Sequence, residues 1–399
     1  MASDFLQRSL REHLAWWGLR HFTSDREYFA WQRRHLSSEN LKLLALRVEQ
    51  KRKGDRDDEV AFYNLAAHPT IFPVLYSQRY EYYEAIGRRT IASLGHAKNI
   101  LDFGCGLGVL ATFYARHFRD RSFVGIDRSA ASLTVARQKA HELGLDNLRF
   151  ECVDADAEPL PGAYDLILTA HALLQAEHDP GLPSQSWRTF ERARNALQQA
   201  SFERRTGLGA RLDRLCEVLR PNGRIIASEK TRQLARRVPF QRALAHRGLQ
   251  LVETPTPIQY RSIEEAVEDG PCYLIQKGGQ AAAAWDERPE QDSGQVFAQD
   301  AVPVATDPRA PLYENHWPSA QAAWEQLDNR EVAREMTHEG PEGRQLHVER
   351  GASRGLEYLY CANTFDQRQL VIVEGVHSAM VDAYYQEILD GMSKEGGSE

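Results

Sequence analysis

Apolar positions change their period along this chain, and the changes divide it. In residues 1–95 they recur at helical spacing: Leu6, Leu10, Leu14 and Trp17 share one face, and Leu43 and Leu46 begin another. The run EQKRKGDRDDE (49–59) carries both signs and reads as a solvated connection between helices. Aromatics crowd the stretch YSQRYEYYEAIGRR (76–89). From residue 96 short β-branched runs alternate with helical patterns. Strands are predicted at 99–104, 122–127, 148–154, 164–170, 223–229, 249–255 and 272–278, with helices at 107–118, 129–144, 211–219 and 240–248. Such alternation predicts an α/β fold, a doubly wound, mostly parallel sheet with helices on both faces. No helix separates the last two strands, so an antiparallel edge is expected. Residues 279–312 lose all periodicity and read as a linker. Beyond it, 313–399 reads as a small α+β module, with helices at 317–327 and 377–392 and strands at 344–350, 356–362 and 369–375. The expected division is therefore a helical extension (1–95), a main α/β domain (96–278), a linker (279–312) and a C-terminal module (313–399).

Composition changes this picture little. The 399 residues carry 49 Lys and Arg against 56 Asp and Glu, a net charge of −7. That balance argues against a non-specific nucleic-acid binder, which needs a basic face to release phosphate counterions. No stretch approaches the roughly 18 apolar residues that span a bilayer, and the first residues lack a secretory h-region. The five cysteines are scattered and never in a CxxC spacing, which argues against a disulfide framework or a Cys-based zinc site and fits a reducing, cytoplasmic setting.

The candidate chemistry sits in LDFGCGLG (101–108), at the end of one expected strand and the start of a helix. Gly104, Gly106 and Gly108 permit a tight turn and close approach of a ligand to the backbone. The helix start behind them offers free N–H groups and a positive dipole end. Asp127 closes the second strand, where an acid accepts ribose hydroxyls, and Asp154 closes the third, where it meets an adenine amino group. The fourth strand, YDLILTA, ends on the same crevice. A dinucleotide fingerprint would place Gly or Ala where Val109 stands. The spacing is instead D-x-G-x-G-x-G, with Asp102 two residues ahead of the first glycine. A ligand with an amino group near Asp102 and a ribose on Asp127, but no phosphate, is an aminoacyl nucleoside.

Together LDFGCGLG, FVGID, FECVDADAEPLP, YDLILTAHALL and LCEVLRPNGRIIASE resemble the class I S-adenosylmethionine-dependent methyltransferases, over about residues 96–278. The resemblance implies a Rossmann-like, seven-stranded sheet with an antiparallel last strand, and S-adenosyl-L-methionine as cofactor. It implies that Asp102 and the backbone of Gly104, Cys105, Gly106 and Gly108 cradle the methionine part. Asp127 would bind the ribose with Arg128 beside the adenine, and Asp154 and Ala155 would read the adenine edge. Thr169, Ala170 and His171 would line the site after the fourth strand.

The expected reaction is methyl transfer to a small-molecule or protein acceptor by in-line displacement, where proximity and orientation contribute up to about 7–11 kcal/mol. His171, His178 and Glu229 are placed as candidate bases. For each histidine taken singly, packing (His171) or solvation (His178) is the commoner role. The aromatic segment 76–89 runs into the first strand, so Tyr76, Arg79, Tyr80 and Tyr83 are expected at the crevice rim as a lid, with Arg79 free for a carboxylate. Residues 171–222 exceed a single crossover helix, so an extra helix is expected over the acceptor pocket, and Trp187 and Phe190 either face it or pack against the body. The basic run TRQLARR (231–237) reads as a solvated helix face, with contact to an anionic substrate as the alternative. No metal, nucleic acid or membrane is expected. The C-terminal module matches no family, and pairing two subunits, docking a partner or covering the sheet edge are its open roles. A scaffold protein that binds the cofactor without catalysis is the alternative, and aminopropyl transfer is a weaker one.

Overall fold

The structure is a computed structural model, which describes residues 2–53, 56–174, 179–297 and 310–395. It divides into two compact units. The first comprises Met1–Asp179, Gln199–Arg232 and Pro239–Trp285, and the second comprises Pro180–Gln198, Gln233–Val238 and Asp286–Glu399.

The first unit is built on a sheet of eight strands. β1 (Asn99–Phe103), β2 (Ser122–Asp127), β3 (Leu148–Cys152), β4 (Tyr164–Ala170) and β5 (Leu219–Ser228) run parallel, and β6 (Leu249–Leu251), β7 (Thr256–Ser262) and β8 (Glu265–Lys277) complete it. The order is β3-β2-β1-β4-β5-β8-β6, with β7 paired to β8. Ile100, Leu101, Phe123, Leu166, Ile167 and Ile225 are almost wholly buried. A parallel sheet covered on both faces needs such continuous apolar strands. β8 pairs antiparallel with β5, as expected. The eighth strand was not expected: residues 256–262 fold back on the first half of β8 as a hairpin. The helices α7 (Val109–His117), α8 (Ala130–Glu142), α9 (Ala196–Arg205), α10 (Leu208–Val218) and α11 (Leu234–His246) connect the strands. Because β1 has β2 on one side and β4 on the other, a crevice opens at the C-terminal strand ends, where ligands bind in open α/β sheets.

Six helices precede β1: α1 (Ala2–Trp16), α2 (Asp25–His35), α3 (Ser38–Lys53), α4 (Arg56–Ala66), α5 (Phe72–Ser77) and α6 (Tyr80–Ser93). Leu10, Leu14 and Trp17, at helical spacing in the sequence, enter the main core. Leu43 and Leu46 do not: both stay exposed, and Leu44 is the buried residue of α3. Nor is 49–59 merely a solvated connection. Arg56 pairs with Asp154, and Glu59 pairs with Arg128, tying the start of α4 to the ends of β2 and β3.

The second unit is an antiparallel sheet in the order β10-β11-β12-β13-β9. Its strands are β9 (Tyr313–Asn315), β10 (Glu331–Glu339), β11 (Gln345–Ser353), β12 (Leu356–Asn363) and β13 (Arg368–Glu374). α12 (Ser319–Glu325) packs with one buried cluster and α13 (Ser378–Glu395) with another. Trp187, for which the sequence left acceptor-facing and packing roles open, packs in the first cluster: its ring stacks on His347 at 3.6 Å. Phe190 lies under the Arg368 guanidinium, 4.4 Å from ring centroid to Cζ. Segment 180–198 is thus part of this unit's core. The expected linker is also structured over 286–297. Asp292 accepts from Ser319 N and Oγ at 2.8 and 2.6 Å, and Phe297 packs on Tyr313. Arg237 of the basic run is buried and paired with Glu290, so it is not a solvated charge.

Candidate active site

The turn after β1 forms as its glycines require. Gly104 has φ +71°, and a Cβ there would lie 2.3 Å from Ala172 Cβ, so no larger residue fits. Gly106, at φ +53°, has no atom within 4 Å of where its Cβ would stand, and it opens on a cavity. The N–H groups of Gly104 and Cys105 both donate to Ile126 O, at 2.9 and 3.0 Å, which locks the turn against β2.

Asp127, at the end of β2, accepts from Gly106 N at 2.9 Å on Oδ2 and from Ser129 N at 2.8 Å on Oδ1. A carboxylate offers about four acceptor positions, so two remain for a ligand's hydroxyls. Burial pushes Asp127 up and the two backbone bonds oppose it. Asp102 also lines the cavity and has no hydrogen-bond or ion-pair partner among the described residues. Burial, with Asp127 as a like-charged neighbour, pushes it up to about 7.

The cavity is open to solvent and runs from the glycine turn to residues of the N-terminal helices. Asp102, Gly104, Cys105, Gly106, Asp127, Arg128, Asp154, Ala155, Thr169, Ala170 and His171 all line it. Gly108 does not. It caps α7, and a Cβ there would meet Phe150 at 2.7 Å. Asp154 and Arg128 face the cavity already paired, with Arg56 and Glu59.

Opposite the glycine turn stand Tyr63, Tyr76, Arg79, Tyr82 and Tyr83. Tyr76 and Tyr83 stack with rings 8° from parallel. Tyr80 turns away from this wall, with Arg11 and Glu84 as its charged neighbours. The Arg79 guanidinium lies 4.1 Å over the Tyr82 ring, and its Nη2 donates to His171 Nδ1 at 2.8 Å. It forms no ion pair with an acid among the described residues, so a half-buried cation faces the cavity without a direct carboxylate partner. The surrounding tyrosines raise its pKa against the opposing effect of burial.

His171 is fixed from both sides. Its φ is +57°, its N–H donates to Ser228 O at 2.9 Å, and its Nε2 lies 3.1 Å from Asp269 Oδ2. Because Nδ1 accepts from Arg79, the ring proton sits on Nε2, toward Asp269. Burial pushes His171 down to about 4. Burial also opposes ionisation of Asp269, yet His171 and Tyr260, whose OH donates at 2.5 Å, hold it down to about 2. The one lone pair of His171 is therefore taken, which corrects its reading as a base.

Glu229 is corrected too. It is wholly buried, does not line the cavity, and accepts from Thr169 Oγ1, Ala172 N, Leu173 N and Leu174 N at 3.1–3.3 Å. It pins the chain after β4. Each donor left bare by Glu229→Ala costs about 1–3 kcal/mol. We expect the urea midpoint to fall by the equivalent of at least about 3 kcal/mol in total; lost turnover at unchanged stability would return Glu229 to a catalytic role. His178 lies outside the described residues.

Several site residues escaped the sequence reading: Tyr63, Tyr82, Tyr260, Asp269 and Arg211. Arg211 clamps Asp156 with two bonds of 2.8 Å and donates to Leu173 O at 3.1 Å. No local pattern distinguishes these residues, because their partners lie far away in the chain.

Residues 94–262 match the family model described as "Methyltransferase domain". Of the similar proteins, a ubiquinone biosynthesis O-methyltransferase of Pectobacterium carotovorum is 42% identical over 84 residues, covering 21% of this chain and 34% of that protein. A trans-aconitate 2-methyltransferase of Deinococcus radiodurans is 35% identical over 88 residues, 22% of this chain and 32% of that one. A ribosomal RNA large subunit methyltransferase G of Shewanella amazonensis is 30% identical over 143 residues, 33% and 37% of the two chains. With the strand order and the glycine turn, these matches mark residues 94–262 as a methyltransferase domain. The chain spans about a third of the length of the first curated relatives it matches. With an rRNA methyltransferase among them, net acidity does not exclude a nucleic-acid acceptor. Among the described residues no helix is long and apolar enough to cross a membrane.

Proposed function

We propose that this chain moves a methyl group from S-adenosylmethionine to an acceptor held against the tyrosine wall. The observation that carries the reading is Asp127, oriented by Gly106 and Ser129 with acceptor positions to spare, beside an open glycine cradle. Bound there, the cofactor supplies a methyl group already activated on a sulfonium. Asp127 holds the ribose hydroxyls, and Asp102 accepts the cofactor's ammonium. Tyr76, Tyr82 and Tyr83 exclude water and give the acceptor an aromatic wall. Arg79 presents its charge to a carboxylate or another anionic oxygen. His171 and Asp269 hold Arg79 in place and move no proton. With the lone pair of His171 engaged and Glu229 out of the cavity, the described lining offers no free imidazole, which favours an acceptor that arrives as an anion or a neutral nucleophile. The relatives' names mention a ubiquinone pathway, trans-aconitate and ribosomal RNA, and they do not choose among small-molecule, protein and RNA acceptors. The five unpaired cysteines support a reducing, cytoplasmic location. The non-catalytic scaffold reading is not favoured, given the intact cradle. The test is calorimetric titration with S-adenosylmethionine, followed by detection of S-adenosylhomocysteine in a panel of carboxylates, phenols, peptides and RNA. No binding at millimolar cofactor would refute the reading.

Asp102 gives the site a pH dependence. Its folded pKa, about 7, lies above its unfolded value, so the native state binds the proton more readily. Its contribution to stability is present at low pH and is lost as pH rises from about 4 toward 7. Cofactor binding runs the opposite way, because an ammonium favours the ionised carboxylate. We expect affinity to fall up to about tenfold per pH unit below 7 and the slope to flatten in Asp102→Asn. A pH-independent affinity in the native protein would contradict this role.

A further inference from the structure

We propose that the second unit holds a divalent transition-metal ion on the face of β10 and β11, through His347 Nε2 and the carboxylates of Glu335 and Glu349. Ligand atoms of these three side chains lie within 4.8 Å of one another. The strand register places them on one face: Glu335 stands directly opposite Glu349, and Thr337 opposite His347. Like charges facing each other across a strand pair are destabilising unless a cation joins them. Arg330 answers this only in part, with Nη1 3.8 Å from Glu349 Oε1.

The decisive feature is which atoms are already engaged. Glu349 is 4% exposed, and its Oε1 accepts from Tyr358 OH at 2.6 Å and Trp324 Nε1 at 3.0 Å. Its Oε2 accepts no hydrogen bond among the described residues. His347 is 2% exposed, and its Nδ1 lies 2.9 Å from Thr337 Oγ1. Its Nε2 is buried without a hydrogen-bond partner. The two unengaged atoms, Nε2 and Oε2, face each other at 3.6 Å, too long for a hydrogen bond. The engaged atoms are what a ligand set needs behind it: Thr337 Oγ1 can accept the Nδ1 proton, the tautomer that leaves the Nε2 lone pair for an ion, while Tyr358 and Trp324 orient the carboxylate. Trp187 lies flat on the imidazole, 3.6 Å away and 1° from parallel, and keeps the ring from turning. Glu335 is exposed and supplies the entry side. As the exposed member of the set, Glu335 can turn toward an ion, and zinc bonds carboxylate oxygens at about 2.0–2.2 Å. One imidazole with two carboxylates suits Zn²⁺ or a similar first-row ion, whereas Mg²⁺ prefers oxygen ligands and water.

The inference is independent of methyl transfer, and so is its test. The full chain, stripped with a chelator and dialysed, is titrated with Zn²⁺ by calorimetry, with Mg²⁺ as comparison. The expected result is one Zn²⁺ per chain, with affinity at least tenfold lower in both His347→Ala and Glu335→Gln. Glu335 is exposed, so Glu335→Gln tests the site even if His347→Ala fails to fold. Absence of Zn²⁺ binding in the native chain, or Zn²⁺ binding unchanged in Glu335→Gln, would overturn the proposal. Mg²⁺ binding as tight as Zn²⁺ would overturn it as well.

Discussion

Asp127→Ala is expected to lower affinity for S-adenosylmethionine at least tenfold and to leave the circular dichroism spectrum unchanged. The substitution removes two charge-assisted hydrogen bonds to the ribose, worth roughly 1.5–3 kcal/mol each. About 1.4 kcal/mol corresponds to a factor of ten in binding. It also releases Gly106 N and Ser129 N, which Asp127 holds at 2.9 and 2.8 Å, so the cradle loses a support on both sides. Asp127→Asn keeps one acceptor oxygen and should fall between the two. Calorimetry on the three proteins checks the order. Equal affinities would remove Asp127 from the site and, with it, the cofactor assignment of the crevice.

The second large effect is expected at Arg79. A half-buried guanidinium with no carboxylate partner among the described residues is costly to the unliganded fold. Its retained contacts, the Tyr82 face and His171 Nδ1, compensate only in part. Arg79→Met should therefore keep or raise the melting temperature while lowering cofactor affinity or turnover at least tenfold, because charge-assisted bonds to a carboxylate are lost. Which of the two falls tells whose carboxylate Arg79 holds, the cofactor's or the acceptor's. A lower melting temperature with normal kinetics on the surviving fraction would make segment 76–89 core packing and nothing more.

What was legible in the sequence follows from the length scale of each interaction. β1 to β4 and the glycine turn were readable because strands buried on both faces are continuous apolar runs, and because the turn's geometry is set by residues within a few positions of each other. Asp127 was readable from its place at a strand end. The role of His171 was not. Its partners, Arg79 on the approach to α6 and Asp269 in the β7–β8 hairpin, lie far off in sequence and meet only once the sheet is assembled. The packing partner of Trp187 was not legible for the same reason, since its stacking partner is His347. β10 was missed because EVAREMTHE is an edge strand with almost every residue exposed, so it carries no apolar alternation.

The most direct test of the central claim is a crystal structure of the full chain grown with S-adenosylhomocysteine. The ribose hydroxyls should lie on Asp127, the amino group by Asp102 beside the glycine turn, and the sulfur should face the space lined by Tyr76, Arg79, Tyr82 and Tyr83. A nucleoside bound elsewhere, or a sulfur turned away from the tyrosine wall, would contradict the account.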